Sequence, residues 1–241
     1  MGGLAETGLK FHVAAALVDI EGTISPLAFV KETLFPYAAE RLRPYVEAHR
    51  DDPRVANLLV EVEELSGDDP LRALEKWQRH DIKVKPLKTL QGWIWAEGYA
   101  AGAFAPPLFE DALAALRRWR AQGLPLYVYS SGSLEAQELL FRHSAAGDVR
   151  DLFEGFYDTS VGSKLEAGSY ERIAAEIGVA PKDLLFLSDN PQELVAAEAA
   201  GLQVAQVVKD SQAADPRLAS VGDFGELTVT RTARPHPNPL P

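Results

Sequence analysis

Two acidic residues, Asp19 and Glu21, stand at the end of the apolar run "VAAALVDI" (13–20). Folding alone gives no reason to place two like charges at the point where a buried strand ends. Two later apolar runs, "LPLYVYSS" (124–131) and "DLLFLSD" (183–189), also end in polar residues. The polar residues at these two ends are Ser130, Ser131, Ser188, Asp189 and, one position further on, Asn190. If the three runs are neighbouring strands, at least two carboxylates and two hydroxyls meet in one small volume.

Such a cluster of carboxylates indicates a bound cation. Asp19, Glu21 and Asp189 would repel one another and shift toward protonation unless positive charge lay between them. Oxygen ligands without sulfur favour a hard ion, and Mg²⁺ is the natural candidate. Mg²⁺ held by few carboxylates keeps positions open for water and phosphate oxygens. Asp19 is then placed to attack phosphorus and form an aspartyl-phosphate that water hydrolyses.

The sequence also offers groups that suit a phosphate. Ser130 and Ser131 precede Gly132, which lets the backbone approach a ligand closely, and a helix is predicted to begin just after it. Lys164 lies in the glycine-bearing stretch "VGSKLEAGSY" (161–170) and supplies the positive charge that phosphoryl transfer needs. Ser130, Ser131 and Lys164 are therefore the predicted substrate-binding residues.

The elements around these residues alternate between strand and helix. Short continuous apolar runs are typical of strands that are buried on both faces of a parallel sheet. Between them, helical spacing with proline or glycine end signals predicts helices at 107–123, 168–179 and 190–202, followed by a strand at 203–208. The alternation favours an α/β fold with a doubly wound parallel sheet.

The stretch 25–105 interrupts this alternation. It is rich in helix formers and shows no convincing buried strand. We therefore predict a helical cap inserted after the first strand, with an α/β core formed by 1–24 and 106–230. The last residues, 231–241, carry four prolines and almost nothing apolar, so a disordered tail is expected.

Composition narrows the classes of function. The 241 residues are 46% hydrophobic, which is enough for a sizeable core, and the formal charge of −11 argues against a nucleic-acid or anionic-membrane surface. The absence of cysteine removes disulfides, thiolate metal sites and thiol nucleophiles, and it fits a reducing compartment. The N-terminal apolar stretch is too short for a membrane span and lacks a cleavage pattern. We expect a cytoplasmic, monomeric protein.

The order of these motifs resembles a known superfamily. The segments similar to the four motifs of the haloacid-dehalogenase-type phosphatases are "DIEGT" (19–23), "YSSGS" (129–133), "GSKLE" (162–166) and "FLSDN" (186–190). Most members have Asp at the second acidic position of the first motif, whereas this chain has Glu21. That variant and the string "LQGWIWAEGYAAG" (90–102) resemble one branch, the enolase-phosphatases (acireductone synthases) of methionine salvage.

This resemblance implies a two-stage reaction that uses one Mg²⁺ per chain. A small phosphorylated diketone, 2,3-diketo-5-methylthiopentyl-1-phosphate, is enolised and then dephosphorylated to the acireductone. Carried over by position, Asp19, Glu21 and Asp189 serve the metal, and Asp19 is also the nucleophile. Ser130, Ser131 and Lys164 hold the substrate phosphate. We hypothesise that Glu21, one methylene longer than the usual aspartate, is the acid or base of the enolisation.

Each motif has an ordinary structural explanation when it is taken alone. Acids at a strand end, a Ser-Ser-Gly turn, an Asn-Pro helix start and a single lysine are all common, and it is their joint order that favours a site. Two other functions stay open: a general small-molecule phosphate monoesterase of the same superfamily, and a phosphoryl-receiver signalling module. A catalytically inactive scaffold would need a broken motif, and none is found. The histidines show no paired spacing and receive no role.

Overall fold

The apolar runs form neighbouring strands in the computed structural model of the chain, which describes residues 8–209 and 213–232. The strands within these residues are β1 (Leu9–Val13), β2 (Ala15–Val18), β3 (Leu126–Tyr129), β4 (Gly155–Tyr157), β5 (Leu184–Ser188), β6 (Gln203–Val207), β7 (Ser220–Val221) and β8 (Leu227–Arg231). One sheet has the order β4-β3-β2-β5-β6-β7, and every neighbouring pair in it is parallel. The predicted α/β fold with a doubly wound parallel sheet is confirmed.

The strand order reverses at β2. From β2 the chain proceeds through β3 to β4 on one side of the sheet, and β5, β6 and β7 follow on the other side. In open parallel sheets, ligands bind beyond the carboxyl ends of the strands at such a reversal point. The carboxyl ends of β2 and β5, where Asp19 and Asp189 follow, lie side by side at this reversal point.

Helices cover both faces of this sheet. They are α6 (Glu110–Ala121), α7 (Leu134–Arg142), α8 (Ala167–Ile177) and α9 (Pro191–Ala199). Alternate residues of β2 contribute to two separate cores, because successive strand side chains point to opposite faces. Ala16 and Val18 pack in the core that contains Trp119 of α6. Ala15 and Leu17 pack in the core of α8 and α9.

The chain between β2 and β3 is helical. Its elements are α1 (Leu27–Phe29), a π-helical turn (Val30–Leu34), α2 (Phe35–Ala48), α3 (Pro53–Ser66), α4 (Pro70–Arg79) and α5 (Lys85–Ala100). Residues Ala28–Ala105 form a compact unit, and the described residues up to Leu27 and from Pro106 onward form another. Asp52 and Asp69 cap α3 and α4 by accepting backbone N–H groups, and proline follows each as the first helical residue.

Several short elements were not predicted. β1 and β8 pair with each other in a separate two-stranded parallel sheet. β4 and β7 are edge strands of three and two residues, too short to give a local pattern. The predicted tail begins inside β8, whose last residue is Arg231, and residues 233–241 lie outside the described parts of the chain.

Candidate active site

A tight turn after β2 presents Asp19 and Glu21. The Asp19 N–H donates to Leu187 O at 2.9 Å, which continues the pairing of β2 with β5 past the end of the strand. Beyond it, Ile20 O accepts three N–H groups, from residues 23, 24 and 25. Gly22 has a φ of 76°, a left-handed conformation that favours glycine. The turn therefore fixes both carboxylates at the carboxyl edge of the sheet.

Lys164 lies between two buried carboxylates. Its Nζ atom is 2.5 Å from Asp19 Oδ1 and 2.6 Å from Glu193 Oε2. The side chains of Lys164, Asp19 and Glu193 are 7%, 5% and 12% exposed, so little solvent screens these ion pairs. Tyr170 holds the loop by donating its hydroxyl to Lys164 O at 2.7 Å. The ammonium group of Lys164, which the sequence predicted as a phosphate ligand, is therefore held in one position by these contacts.

The Glu21 carboxylate lies against the loop after β3. Ser130 donates its hydroxyl to Glu21 Oε2 at 3.1 Å, and the same Ser130 Oγ accepts the Gly132 N–H at 3.0 Å. Ser130 is fully buried, whereas Ser131 is exposed. The helix predicted after Gly132 is α7, and Ser133 caps it by accepting the Ala136 N–H. Ser130 therefore connects the first and second motifs.

Asp189 is joined to Asp19 through a threonine. The Thr23 hydroxyl accepts the Asp189 N–H at 2.9 Å and donates to Asp19 Oδ2 at 3.4 Å. The Asp189 carboxylate lies against Gly22, where an added Cβ would overlap Asp189 Oδ2. The Thr23 hydroxyl thus links the Asp19 carboxylate to the backbone of Asp189, and the two residues lie at the adjacent carboxyl ends of β2 and β5.

Burial shifts the protonation of two carboxyls in this cluster. Burial and the neighbouring Asp19 charge raise the pKa of Glu21 above its usual range. The same two causes raise the pKa of Glu193 to about 7, against the opposing effect of Lys164. Burial acts to lower the pKa of Lys164, but Asp19 and Glu193 outweigh it, so the net shift is upward and the ammonium stays charged. A carboxyl group whose pKa is raised is better matched to a weakly acidic substrate group with which it exchanges a proton.

The donor set fits a hard divalent cation. Three acidic side chains, Asp19, Glu21 and Glu193, interact with the single ammonium group of Lys164, so carboxyl groups outnumber the cation beside them. No three acidic or histidine side chains within 8–209 and 213–232 form a ready-made metal cluster. Mg²⁺ commonly uses one or two carboxylates and completes its shell with water and phosphate oxygens. Asp19 and Asp189 fit that pattern, whereas Glu21 is engaged with Ser130, and its part in the metal site stays a prediction.

Two residues of the cluster, Glu193 and Thr23, were missed by the sequence analysis. Glu193 is the third residue of α9 and accepts the Ser188 hydroxyl at 3.0 Å, in addition to its contact with Lys164. Its spacing from Asn190 is typical of a helix start, and Asn190 does cap α9 by accepting the Gln192 N–H, so the local signal had a sufficient explanation. Thr23 ends the "DIEGT" motif, and only its long-range contact to Asp189 shows its role.

Together these groups can carry out phosphoryl transfer. Asp19 is buried and in contact with the Lys164 ammonium, and its carboxylate oxygens are the candidate nucleophile. Ser130 and Lys164 flank it and can contact phosphate oxygens, while Glu21 offers an acid or base. This set, at the reversal point of a doubly wound sheet, defines a phosphate-ester hydrolase of the α/β class. Within the described residues, no helix is long and apolar enough to cross a membrane.

Comparison with known proteins agrees with this class. The model of the haloacid dehalogenase-like hydrolase family matches residues 13–201. "Enolase-phosphatase E1" of Aquifex aeolicus (strain VF5) is 46% identical over 224 residues, covering 91% of this chain and 98% of the relative. "Enolase-phosphatase E1" of Bradyrhizobium sp. (strain BTAi1 / ATCC BAA-1182) is 49% identical over 222 residues, covering 92% and 96%. The crystal structure of the UTR4 protein of Saccharomyces cerevisiae superposes with a TM-score of 0.75 at 32% identity, covering 88% and 98% of the two chains.

The chain belongs to the enolase-phosphatases of the haloacid dehalogenase-like hydrolase family.

Proposed function

We propose that this chain enolises 2,3-diketo-5-methylthiopentyl-1-phosphate and then removes its phosphate to give the acireductone of methionine salvage. The observation that carries this proposal is the contrast between Asp19 and Glu21. Asp19 faces the ammonium of Lys164, whereas burial and the Asp19 charge raise the pKa of Glu21. Two neighbouring carboxyls in different environments can take two roles, a nucleophile and an acid or base.

The phosphatase stage uses Asp19 as nucleophile. An Asp19 oxygen attacks phosphorus, the bond from phosphorus to the substrate oxygen breaks, and an aspartyl-phosphate forms. Lys164, the Ser130 and Ser131 hydroxyls and the backbone N–H groups of the loop after β3 bind the phosphate oxygens. Water then hydrolyses the acyl phosphate and regenerates Asp19. Ser131 is exposed, as a group that meets an incoming ligand must be.

The enolisation stage uses Glu21. Its carboxylate removes a proton from the carbon next to the diketone, and the protonated acid then delivers a proton to oxygen. A raised pKa helps because it narrows the gap between the carboxyl and a weakly acidic C–H group. Ser130 holds the carboxylate by a hydrogen bond of 3.1 Å.

The proposed cofactor is one Mg²⁺, held by the carboxylates of Asp19 and Asp189 with water or main-chain oxygens. When bound, Mg²⁺ neutralises phosphate charge and polarises the diketone. Its fit rests on the oxygen-only donor set and on the Thr23 hydroxyl that joins the two aspartates. We also infer a cytoplasmic, monomeric enzyme.

The test is turnover of the synthetic diketo phosphate, followed by enediol absorbance and by released phosphate. We expect Asp19→Asn to reduce phosphate release by about 10³-fold or more, and to reduce enediol formation much less, because asparagine cannot act as the nucleophile but keeps an oxygen that can face the cation. Chelation of Mg²⁺ should abolish phosphate release, and added Mg²⁺ should restore it. Asp183→Asn is the matched control, because Asp183 also contacts a lysine, Lys182 at 3.0 Å, but at the amino end of β5.

The outcomes separate the rival functions. Phosphate release from simple monoesters without any enediol absorbance would reassign the chain as a general monoesterase. At most one phosphate per chain would indicate a phosphoryl receiver. Unchanged phosphate release in Asp19→Asn would overturn the proposed mechanism.

A further inference from the structure

Gln137 is a buried glutamine beside the loop after β3 that the phosphatase mechanism does not use. It lies on α7 and is 1% exposed. Its Nε2 atom donates two hydrogen bonds of 2.9 Å, to Gly132 O in the loop and to Tyr157 O at the end of β4. Two carbonyl acceptors at one atom fix which end of the amide is the nitrogen. Gln137 thus ties the loop to the neighbouring strand.

The other end of the same amide has no partner. Gln137 Oε1 is buried and accepts no hydrogen bond from the described residues. A buried acceptor without a donor lowers the free energy of unfolding, and an apolar side chain of similar shape would avoid that loss. The unpaired Oε1 atom therefore offsets part of the stability that the two hydrogen bonds of Nε2 contribute. The importance of this glutamine lies in the two carbonyl groups that its Nε2 atom holds in place.

The atom that Gln137 holds determines the direction of a peptide group. The peptide between Gly132 and Ser133 is planar and trans, so its C=O and its N–H point in opposite directions. Gln137 holds the Gly132 carbonyl toward the protein interior. The Ser133 N–H of the same peptide group therefore points away from the interior. No acceptor for this N–H lies within 8–209 and 213–232.

The same glycine also connects to the carboxylate of the first motif. The Gly132 N–H donates to Ser130 Oγ at 3.0 Å, and Ser130 in turn donates to Glu21 Oε2 at 3.1 Å. The Ser130 N–H donates to Tyr157 O, the second carbonyl that Gln137 contacts. A shift of Gly132 would therefore move Ser130, the predicted phosphate ligand.

We propose that Gln137 is a positioning residue, which orients the Gly132–Ser133 peptide and the Ser130 hydroxyl for the substrate phosphate. The inference rests on the proposed phosphate-binding role of this loop. It adds the Ser133 N–H as a phosphate donor whose direction Gln137 sets.

The test compares Gln137→Met with Gln203→Met in the full-length protein. Gln203 is a matched control, because its Nε2 also bridges two carbonyls, His12 O at 3.1 Å and Lys182 O at 2.7 Å. Gln203 begins β6 and so lies at the opposite edge of the sheet from the site. Gln137→Asn is a second variant, which keeps an amide but withdraws it by one methylene.

The measurements are KM and kcat for the diketo phosphate, the Kd of inorganic phosphate by calorimetry, and Tm. For both Gln137 variants we expect KM and Kd to rise about tenfold, the effect of losing one positioning hydrogen bond, with kcat changed less than about threefold. Tm should fall in both Gln137→Met and Gln203→Met, because each variant loses two hydrogen bonds to carbonyl groups, so a loss of stability does not by itself explain a change in KM or Kd confined to Gln137. Gln203→Met should leave KM and Kd unchanged.

Two results would overturn the inference: KM and Kd within twofold of wild type in both Gln137 variants, or an equal rise in Gln203→Met. A wild type that does not convert the diketo phosphate would contradict the proposed function. The Kd of inorganic phosphate would still test the role of Gln137, because phosphate binding needs no turnover.

Discussion

Lys164 Nζ lies 2.5 Å from Asp19 Oδ1, and both side chains are more than nine-tenths buried. The contact joins two loops 145 positions apart in the chain. It gives the carboxylate at the end of β2 a fixed counter-charge and places an ammonium group beside the proposed nucleophile. Since the same Nζ also contacts Glu193 of α9, one side chain holds two acidic residues from distant segments of the chain.

Replacing Lys164 with Met should impair both activity and folding. Phosphate binding loses its cation, so kcat/KM for phosphate release should fall about 10²–10³-fold. Asp19 and Glu193 would be left as buried carboxylates without a counter-charge, which should cost about 3–5 kcal/mol in the free energy of unfolding. Steady-state kinetics and denaturant unfolding measure the two effects.

Lys182→Met is the control for this substitution. Lys182 also contacts an aspartate, but its side chain is 79% exposed, so its loss should change neither quantity measurably. Equal behaviour of the two variants would contradict a special role for Lys164.

Shortening Glu21 to Asp should separate the two stages. The carboxylate would withdraw from Ser130 and from the substrate carbon, so enediol formation should fall about 10²-fold or more. Phosphate release from a simple monoester needs Asp19 and Lys164 and should change by less than about threefold. Glu198→Asp, at an exposed position of α9, should alter neither rate. If enolisation persists unchanged in Glu21→Asp, the extra methylene has no role.

Gly22→Ala should disturb the site beyond ordinary backbone strain. Gly22 has a φ of 76°, and a Cβ there would overlap Asp189 Oδ2. Gly67→Ala is the matched control, because Gly67 has a φ of 64° and no atom within 4 Å of an added Cβ. Both variants should lose about 1–2 kcal/mol from the positive φ.

Only Gly22→Ala should also displace Asp189, and its kcat/KM should fall about 10²-fold as a consequence of that misplacement. Measurements of Tm and kcat/KM for Gly22→Ala and Gly67→Ala test this prediction. A Gly22→Ala enzyme as active as Gly67→Ala would show that the position of the Asp189 carboxylate is unimportant.

Asp111 should stabilise the core in a pH-dependent way. Its Oδ2 accepts from Lys209 Nζ at 2.5 Å and from the Phe224 N–H at 2.8 Å. Burial acts to raise the pKa of Asp111, but these donors outweigh it, and the net shift is below the usual value of 3.8. A carboxyl whose pKa is lowered by folding stabilises the fold above its unfolded pKa, and that stabilisation is lost as the pH falls through the folded pKa.

Asp111→Asn should therefore cost about 2 kcal/mol at pH 7, and the difference from wild type should shrink below about pH 4. Thermal unfolding at both pH values measures it. Asp148→Asn removes an exposed carboxylate that contacts Arg150, and should leave Tm unchanged at pH 7. A difference between wild type and Asp111→Asn that grows on acidification would contradict the assignment.

The central strands and the site order were predictable because both leave local signals. β5 is buried along its whole length, and its sequence is a nearly continuous apolar run. β1 gives no such local signal. Its partner β8 is more than two hundred positions away, with Leu9 opposite Leu227. Pairing at that separation depends on tertiary structure, and the alternating burial of β1 is too short to show it.

The residues of the candidate site were likewise predictable only where they leave a local signal in the sequence. Asp19, Ser130, Lys164 and Asp189 come at strand ends or in a glycine-bearing loop, where chain order alone gives their neighbourhood. Glu193 was missed because its spacing from Asn190 already explains a helix start. Gln137 was missed because its partners, Gly132 O and Tyr157 O, belong to two separate segments of the chain.

The nucleophilic role of Asp19 has a direct chemical test. Wild-type enzyme is quenched during turnover of the diketo phosphate, treated with borohydride to reduce any acyl phosphate to an alcohol, and mapped by peptide mass spectrometry. We predict reduction of the side chain at position 19, and no reduction there in Asp19→Asn or when substrate is omitted. Active enzyme that yields an unmodified Asp19 peptide, or a reduced carboxyl at another position, would contradict covalent catalysis by Asp19.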